Sequence, residues 1–258
     1  GLVQNHSLAI NGGNTSTKFS ISGNITDHQG AIINSGFNRY QGRAYFNHNA
    51  NKKLSFNLQV NYAKDKSYGD LASTNTSGTQ PYASFLLYRV WGYRPLNAYG
   101  STMDLENEFI DSDGNDARFN PIIDYSNSVN DRSNENFNFN GNAWYKILPN
   151  LTLKVKGGLN SRTLEESSFY NALTSRGSSL STANTKGVNG GIRFTNYKTW
   201  VNENTLTYRP KLKKGQSLTG LIGWTIQGDV FKRFGLSGEY VPNELLGVYG
   251  IDEGTPGA

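Results

Sequence analysis

From Leu54 to Lys64 the chain alternates apolar and polar residues without a break, and the same alternation returns along most of its length between turns rich in Gly and Asn. Successive side chains on a strand point to opposite faces, so Leu54, Phe56, Leu58, Val60 and Tyr62 share one face while Ser55, Asn57, Gln59 and Asn61 share the other. Strands of this kind meet two different surroundings. The fold class follows from what the apolar face touches.

A hydrophobic content of 36% is lean for a chain of 258 residues that has to fill a two-sided core. The 29 glycines, the abundant Asn, Ser and Thr and the 12% of aromatics suit many strands joined by turns, and predict an all-β protein. The absence of cysteine excludes disulfide frameworks, thiolate metal sites and thiol nucleophiles. No apolar run approaches the roughly 18 residues of a membrane helix, and Gly1 opens without the basic and apolar regions of a signal peptide. Such a chain is soluble or crosses a membrane as strands. The net charge of +5 is scattered rather than gathered on one element, and Lys211, Lys213 and Lys214 fall in a turn. No nucleic-acid partner is predicted.

The period of two marks about eight strands. The first covers His6 to Gly12, the second Thr17 to Asp27, the third Phe37 to Asn49, and the fourth starts at Leu54. After a long interruption from Ser67 to about Asp131 come a fifth strand (Glu135 to Ile147) and a sixth from Leu151 through Arg162. A loop from Glu165 to about Gly191 precedes a seventh ending at Tyr208. An eighth carries Leu218, Ile222, Trp224 and Ile226, and Gly228 to Ala258 reads as loop. The connections are short after strands one, three, five and seven and long after two, four and six. An up-and-down barrel sorts its loops this way, with tight turns at one rim and large loops at the other.

Energetics assigns the faces. Arg43, Lys154, Lys156 and Arg162 lie on polar faces, and each turned to mid-bilayer lipid costs about 2–4 kcal/mol. The apolar faces therefore meet hydrocarbon, and the polar faces line a wet or plugged lumen. The prediction is an antiparallel up-and-down transmembrane β-barrel, with Tyr40, Tyr62 and Tyr145 near the strand ends where aromatic girdles belong. Strand seven resists the pattern, because Asn202 and Asn204 share a parity with Trp200, Leu206 and Tyr208. A β-bulge or an outward Asn pair bonded to its neighbours reconciles it.

Several segments resemble the barrel of SusC-like (SusC/RagA) TonB-dependent outer-membrane transporters of Bacteroidetes: His6 to Asn14 (HSLAINGGN), Gly30 to Arg43 (GAIINSGFNRYQGR), Leu148 to Leu153 (LPNLTL), Asn202 to Tyr208 (NENTLTY) and Leu218 to Gln227 (LTGLIGWTIQ). The resemblance implies a barrel of 22 strands in a Gram-negative outer membrane, an N-terminal plug, a SusD-like surface lipoprotein partner and import of glycans or peptides driven by the TonB system. Residues 1–258 are then a partial barrel domain of about eight strands, lacking the plug, through which the TonB system acts, and the remaining strands.

Candidate site residues fall in three groups. Tyr82, Tyr88, Trp91, Tyr93 and Tyr99 in the long interruption offer aromatic faces to an oligosaccharide or peptide, or pack the loop on itself or on the partner lipoprotein. Arg39, Arg43, Lys154, Lys156 and Arg162 face the lumen, where they steer anionic substrate or pair with plug carboxylates, with Glu203 an inward partner for one cation. Asp111, Asp113 and Asp116 are weak Ca²⁺ candidates, because the full twelve-residue calcium loop with its closing Glu is not matched. No catalytic residue and no cofactor is predicted: the histidines are dispersed and neither HExxH nor GxSxG occurs. Two alternatives stand beside the importer: a self-contained eight-stranded outer-membrane barrel with a structural or adhesion role, and a soluble β carbohydrate-binding domain.

Overall fold

The computed structural model of the chain describes residues 1–69, 86–96, 100, 102, 104–111, 118–181 and 184–257, and the side chains of 86–88 lie outside that description. Eight long strands form one antiparallel sheet: β1 (Val3–Gly13), β2 (Thr17–Gln29), β3 (Gly36–Asn49), β4 (Leu54–Tyr68), then, beyond the long interruption, β7 (Ser128–Leu148), β8 (Leu151–Tyr170), β9 (Asn189–Tyr208) and β10 (Gly220–Glu239). The interruption itself contains α1 (Leu86–Gly92), a minimal hairpin of β5 (Ile110–Asp111) and β6 (Arg118–Phe119), and α2 (Pro121–Asn127). After β10, Glu244–Glu253 forms 3-10 turns, and β11 (Thr255–Pro256) pairs with Gly238 and Glu239.

Neighbours in sequence are neighbours in the sheet throughout, the up-and-down order that the loop pattern predicts. The turns at the tight rim are built by their asparagines. Asn14 Oδ1 accepts from the backbone N–H groups of Ser16 and Thr17, and Asn51 Oδ1 accepts from those of Lys53 and Leu54. These are side-chain mimics of a backbone turn. Sorting of loop length is weaker than predicted, since the connection at 30–35 is shorter than that at 209–219.

Register turns the alternation into two continuous surfaces. One row of directly opposed residues runs Ile10, Ile21, Ala44, Val60, Phe139, Leu159 and Trp200, ending at Gly228 beneath the Trp200 indole. The adjacent row on the other face runs Ser22, Arg43, Asn61, Asn138, Asn160 and Thr199. The apolar side is the open one: Ile21 is 54% exposed, whereas Ser20 and Ser22 beside it are half-buried. A soluble domain covers its apolar face, but among the described residues no second sheet packs on it. The soluble-domain alternative is therefore not what forms.

The sheet is also open. β1 and most of β10 have no strand on their outer edges among the described residues, whereas a closed eight-stranded barrel pairs those two strands with each other. Unpaired backbone groups have no water to satisfy them in hydrocarbon, so this wall is a fragment of a larger barrel.

Strand seven follows the second of its two predicted solutions. β9 pairs with β8 and β10 without a register shift, so there is no bulge. Asn204 Nδ2 instead donates to Asn202 Oδ1 at 2.6 Å, and Asn202 Nδ2 donates to the Lys156 carbonyl at 3.1 Å.

The later strands are longer than the alternation predicts, and the tail is a correction. β7 begins at Ser128, β8 continues to Tyr170, and Gly228 to Glu239, read as loop, completes β10, while Leu218 lies before that strand. Twenty residues at about 3.3 Å each reach some 66 Å, about twice what a tilted crossing needs. The outward apolar band covers Leu54 to Tyr62 on β4 and Phe137 to Tyr145 on β7. Above it come outward Lys64 and Glu135, with Tyr62 Oη donating to Glu135 Oε1 at 2.6 Å. The extra length lies beyond hydrocarbon, where both faces meet water and the period of two disappears.

At that far end lies a small core of Phe169, Val241 and Ile251, flanked by Val188, Ile192 and Val248. The opposed glycines Gly190 and Gly238 admit it: a Cβ on Gly238 would stand 2.0 Å from the Ile251 carbonyl oxygen.

Candidate functional site

Those predicted site residues that the structure describes lie in two places, the inner polar face and the loop cluster at the long-connection end. Arg39, Arg43, Lys154, Lys156, Arg162 and Glu203 all carry the inner parity of their strands. Lys156 and Glu203 are directly opposed on β8 and β9, and Nζ stands 2.8 Å from Oε2. Lys154 Nζ lies 5.6 Å over the Trp144 ring of the neighbouring strand. Arg162 Nε donates to Asn134 Oδ1 at 2.8 Å. With the Gln41 amide assigned by its hydrogen-bond network, its oxygen accepts from Arg43 Nε at 3.0 Å and Nη2 at 2.9 Å. Arg39 Nε is buried and has no hydrogen-bond partner among the described residues.

The alternation alone missed three more inner arginines, Arg132, Arg193 and Arg233, which fall in the parts of β7, β9 and β10 that project beyond the apolar band. Glu166 lies between two of them, 3.9 Å from Arg132 Nε and 3.8 Å from Arg193 Nη1. Counting by twos along β8 from Lys156 is the signal that would have found Glu166. The cations are sorted: on the upper parts of β4, β9 and β10, Lys64, Lys66, Lys198 and Lys232 face outward, whereas the arginines face inward. Aromatic Tyr45, Trp144, Tyr197 and Phe231 share the inner face with an amide field of Asn57, Asn61, Asn138, Asn140, Asn142 and Asn160.

The loop cluster is a docked structure. Asp124 on α2 is almost fully buried and forms an ion pair with Arg89 of α1, while its Oδ1 accepts from the backbone N–H of Ser175 at 3.1 Å. Arg89 also donates to Ser175 Oγ at 2.7 Å and lies 5.5 Å over the Tyr125 ring. Asn120 caps α2, accepting from Ile122 and Ile123, and its amide donates to the carbonyls of Leu105, Glu106 and Glu108. Asn34 joins this cluster to the β2–β3 connection through the carbonyls of Tyr125 and Ser128.

Of the predicted aromatic set, Trp91 is 81% exposed on the last turn of α1. Tyr93 is half-buried and donates from Oη to the Leu105 carbonyl at 3.0 Å. Burial, and then the Asp111 carboxylate nearby, push its phenol above the ordinary tyrosine value. Tyr88 belongs to α1, and Tyr82 and Tyr99 lie outside the described residues. Of the calcium candidates, Asp113 and Asp116 also lie outside them. Asp111 receives Arg94 with both oxygens, from Nε at 2.8 Å and Nη2 at 2.6 Å.

Solved structures share this architecture. The chain superposes on the RagAB peptide transporter with a TM-score of 0.71 at 18% identity, over 99% of this chain and 27% of that one. The "open-open" state of the RagAB peptide importer gives 0.70 at 19% identity, over 98% and 27%. Among curated proteins, three TonB-dependent receptors from Formosa agariphila are similar. TonB-dependent receptor P3 is 25% identical over 237 residues (88% of this chain, 22% of that protein), and TonB-dependent receptor P39 is 26% identical over 234 residues (88% and 20%). In fold, the chain is a SusC/RagA-like barrel segment. No family model matches it. The segment spans about a fifth of the length of the curated relatives it matches. Together with its outward apolar band, this similarity places the segment in the outer membrane of a Gram-negative bacterium.

Proposed function

We propose that the full-length protein is a TonB-dependent active importer of glycans or peptides, in which residues 1–258 form part of the barrel domain: one stretch of wall and its extracellular loops. The observation that carries this reading is the open two-solvent wall, lipid-facing on one side and lined with arginines and amides on the other, whose β1 and most of whose β10 have no outer partner strand among the described residues. The relatives named TonB-dependent receptors, each several times longer, support it. The reading takes the plug and the remaining strands from other parts of the protein. It takes energy from the TonB system through that plug, and a SusD-like surface lipoprotein as the partner over the loop rim. It assigns no catalytic residue and no cofactor to the segment.

Uptake tests the proposal. Cells lacking the full-length protein are expected to lose accumulation of at least one labelled oligosaccharide or peptide pool, and removal of TonB is expected to cause the same loss. Uptake of every such pool unchanged in the deletion strain would contradict the importer reading.

A further inference from the structure

On the upper inner wall, Tyr197 of β9 and Phe231 of β10 are directly opposed and exposed, and Arg162 of β8 is opposed to Tyr197 from the other side. Arg233 follows Phe231 by one step of the same face, and Arg193 lies two such steps beyond Tyr197. Two aromatic faces thus lie among three guanidinium groups. We propose that this cluster is a lumenal binding site for an acidic oligosaccharide, with sugar rings on Tyr197 and Phe231 and carboxylate or sulfate groups held by Arg162, Arg193 and Arg233. The inference rests on the importer reading and names the substrate class for the same wall.

Charge supports an anionic ligand. Across the four upper inner rows there are six arginines (Arg39, Arg43, Arg132, Arg162, Arg193 and Arg233), and the carboxylates among the described residues of those rows are Asp65, Glu166 and Asp229. Glu166 is shared between Arg132 and Arg193 at 3.9 and 3.8 Å, which leaves donors of both guanidinium groups available. On the upper wall, the use of arginine inside, with lysine outside, matters because the planar fork binds carboxylate and sulfate through paired hydrogen bonds, whereas an ammonium acts as a point charge. Two further features favour a glycan over a peptide. Exposed aromatic faces with polar surroundings suit sugar rings. The asparagines in the rows below both donate and accept, as hydroxyl groups require. A peptide also brings an N-terminal ammonium, which this arginine-rich face repels.

The test is binding to the detergent-purified full-length protein, which needs no TonB energy. The probes are hexagalacturonate, a sulfated chondroitin hexasaccharide, maltohexaose and a hexaglutamate peptide. An acidic hexasaccharide is expected to bind at least tenfold more tightly than maltohexaose, with affinity falling as salt rises; comparison of the two acidic sugars tells carboxylate from sulfate. Arg193→Gln with Arg233→Gln is expected to remove most of that preference, Arg193→Lys with Arg233→Lys to retain part of it, and Phe231→Ala to weaken both acidic sugars. Equal binding of acidic and neutral sugars by the unaltered protein, or binding of hexaglutamate alone, overturns the proposal, as does a preference that survives the Gln pair. Because the first comparison uses the unaltered protein, it decides even if a variant fails to fold. TonB-independent uptake alongside intact acidic-sugar binding would remove the importer reading and leave the site; TonB-dependent uptake without acidic-sugar binding would do the reverse.

Discussion

Asn204 donates to Asn202 across 2.6 Å on the outward side of β9, between Trp200 and Leu206. Two amides facing hydrocarbon are tolerable only because they satisfy one another and the Lys156 carbonyl. Replacing the pair by Leu and Val is expected to leave stability unchanged or raise it by up to about 1 kcal/mol, since both partners go together. Asn202→Lys is expected to cost about 2–4 kcal/mol. Urea unfolding of the full-length protein in lipid vesicles measures both, and a lysine tolerated as well as leucine would mean that this side of β9 meets water.

Lys156 and Glu203 are each about one-third exposed in the lumen, so their attraction is screened. A double-mutant cycle with Lys156→Met and Glu203→Gln is expected to give a coupling of about 0–1 kcal/mol. A much larger coupling would indicate a dry lumen at this level.

The Arg89–Asp124 pair is a different case, because both side chains are buried. Asp124→Asn is expected to weaken docking of α2 against α1 and the 171–178 connection by about 3–5 kcal/mol, because it removes the carboxylate charge from a buried ion pair. Hydrogen exchange should then quicken in 121–127 and 171–178 while β7 and β8 within the apolar band stay protected. Faster exchange spread evenly through the strands would contradict this separation.

Legibility of the fold divided at the edge of the bilayer. Between Leu54 and Tyr62, or Phe137 and Tyr145, every second side chain meets hydrocarbon, so the period of two survives and the strands are readable. Beyond Lys64, Thr163 and Val230 both faces meet water, selection for alternation ends, and the last six residues of β8 and more than half of β10 looked like loop. The site divided with it. Lys156 and Glu203 were recoverable by parity alone, whereas Arg132 and Arg233 lay outside the predicted strands and Arg193 at the very start of the seventh. The Arg89–Asp124 pair joins residues far apart in sequence through loop docking, which no local spacing encodes.

Tyr93 gives a pH dependence with a definite sign. Its phenol is raised above the ordinary tyrosine value by burial and by Asp111, so the docked loop favours the protonated form. Its contribution is fully present below the tyrosine value of the unfolded chain, about 10, and is lost as pH rises through the higher folded value. Phenolate absorbance of the full-length protein and its Tyr93→Phe variant is expected to show this residue titrating late. The hydrogen exchange of 104–109 is expected to quicken over the same alkaline range, and early titration would contradict the docked position.

Nitroxide scanning of residues 54–62 in the full-length protein, with any cysteine outside this cysteine-free segment replaced by serine and the protein reconstituted in lipid, tests the central claim most directly. Accessibility to oxygen dissolved in hydrocarbon is expected to peak at Leu54, Phe56, Leu58, Val60 and Tyr62, and accessibility to a water-soluble nickel chelate at Ser55, Asn57, Gln59 and Asn61. Even-numbered positions shielded from hydrocarbon, or as open to the chelate as their odd-numbered neighbours, would contradict a wall between lipid and lumen.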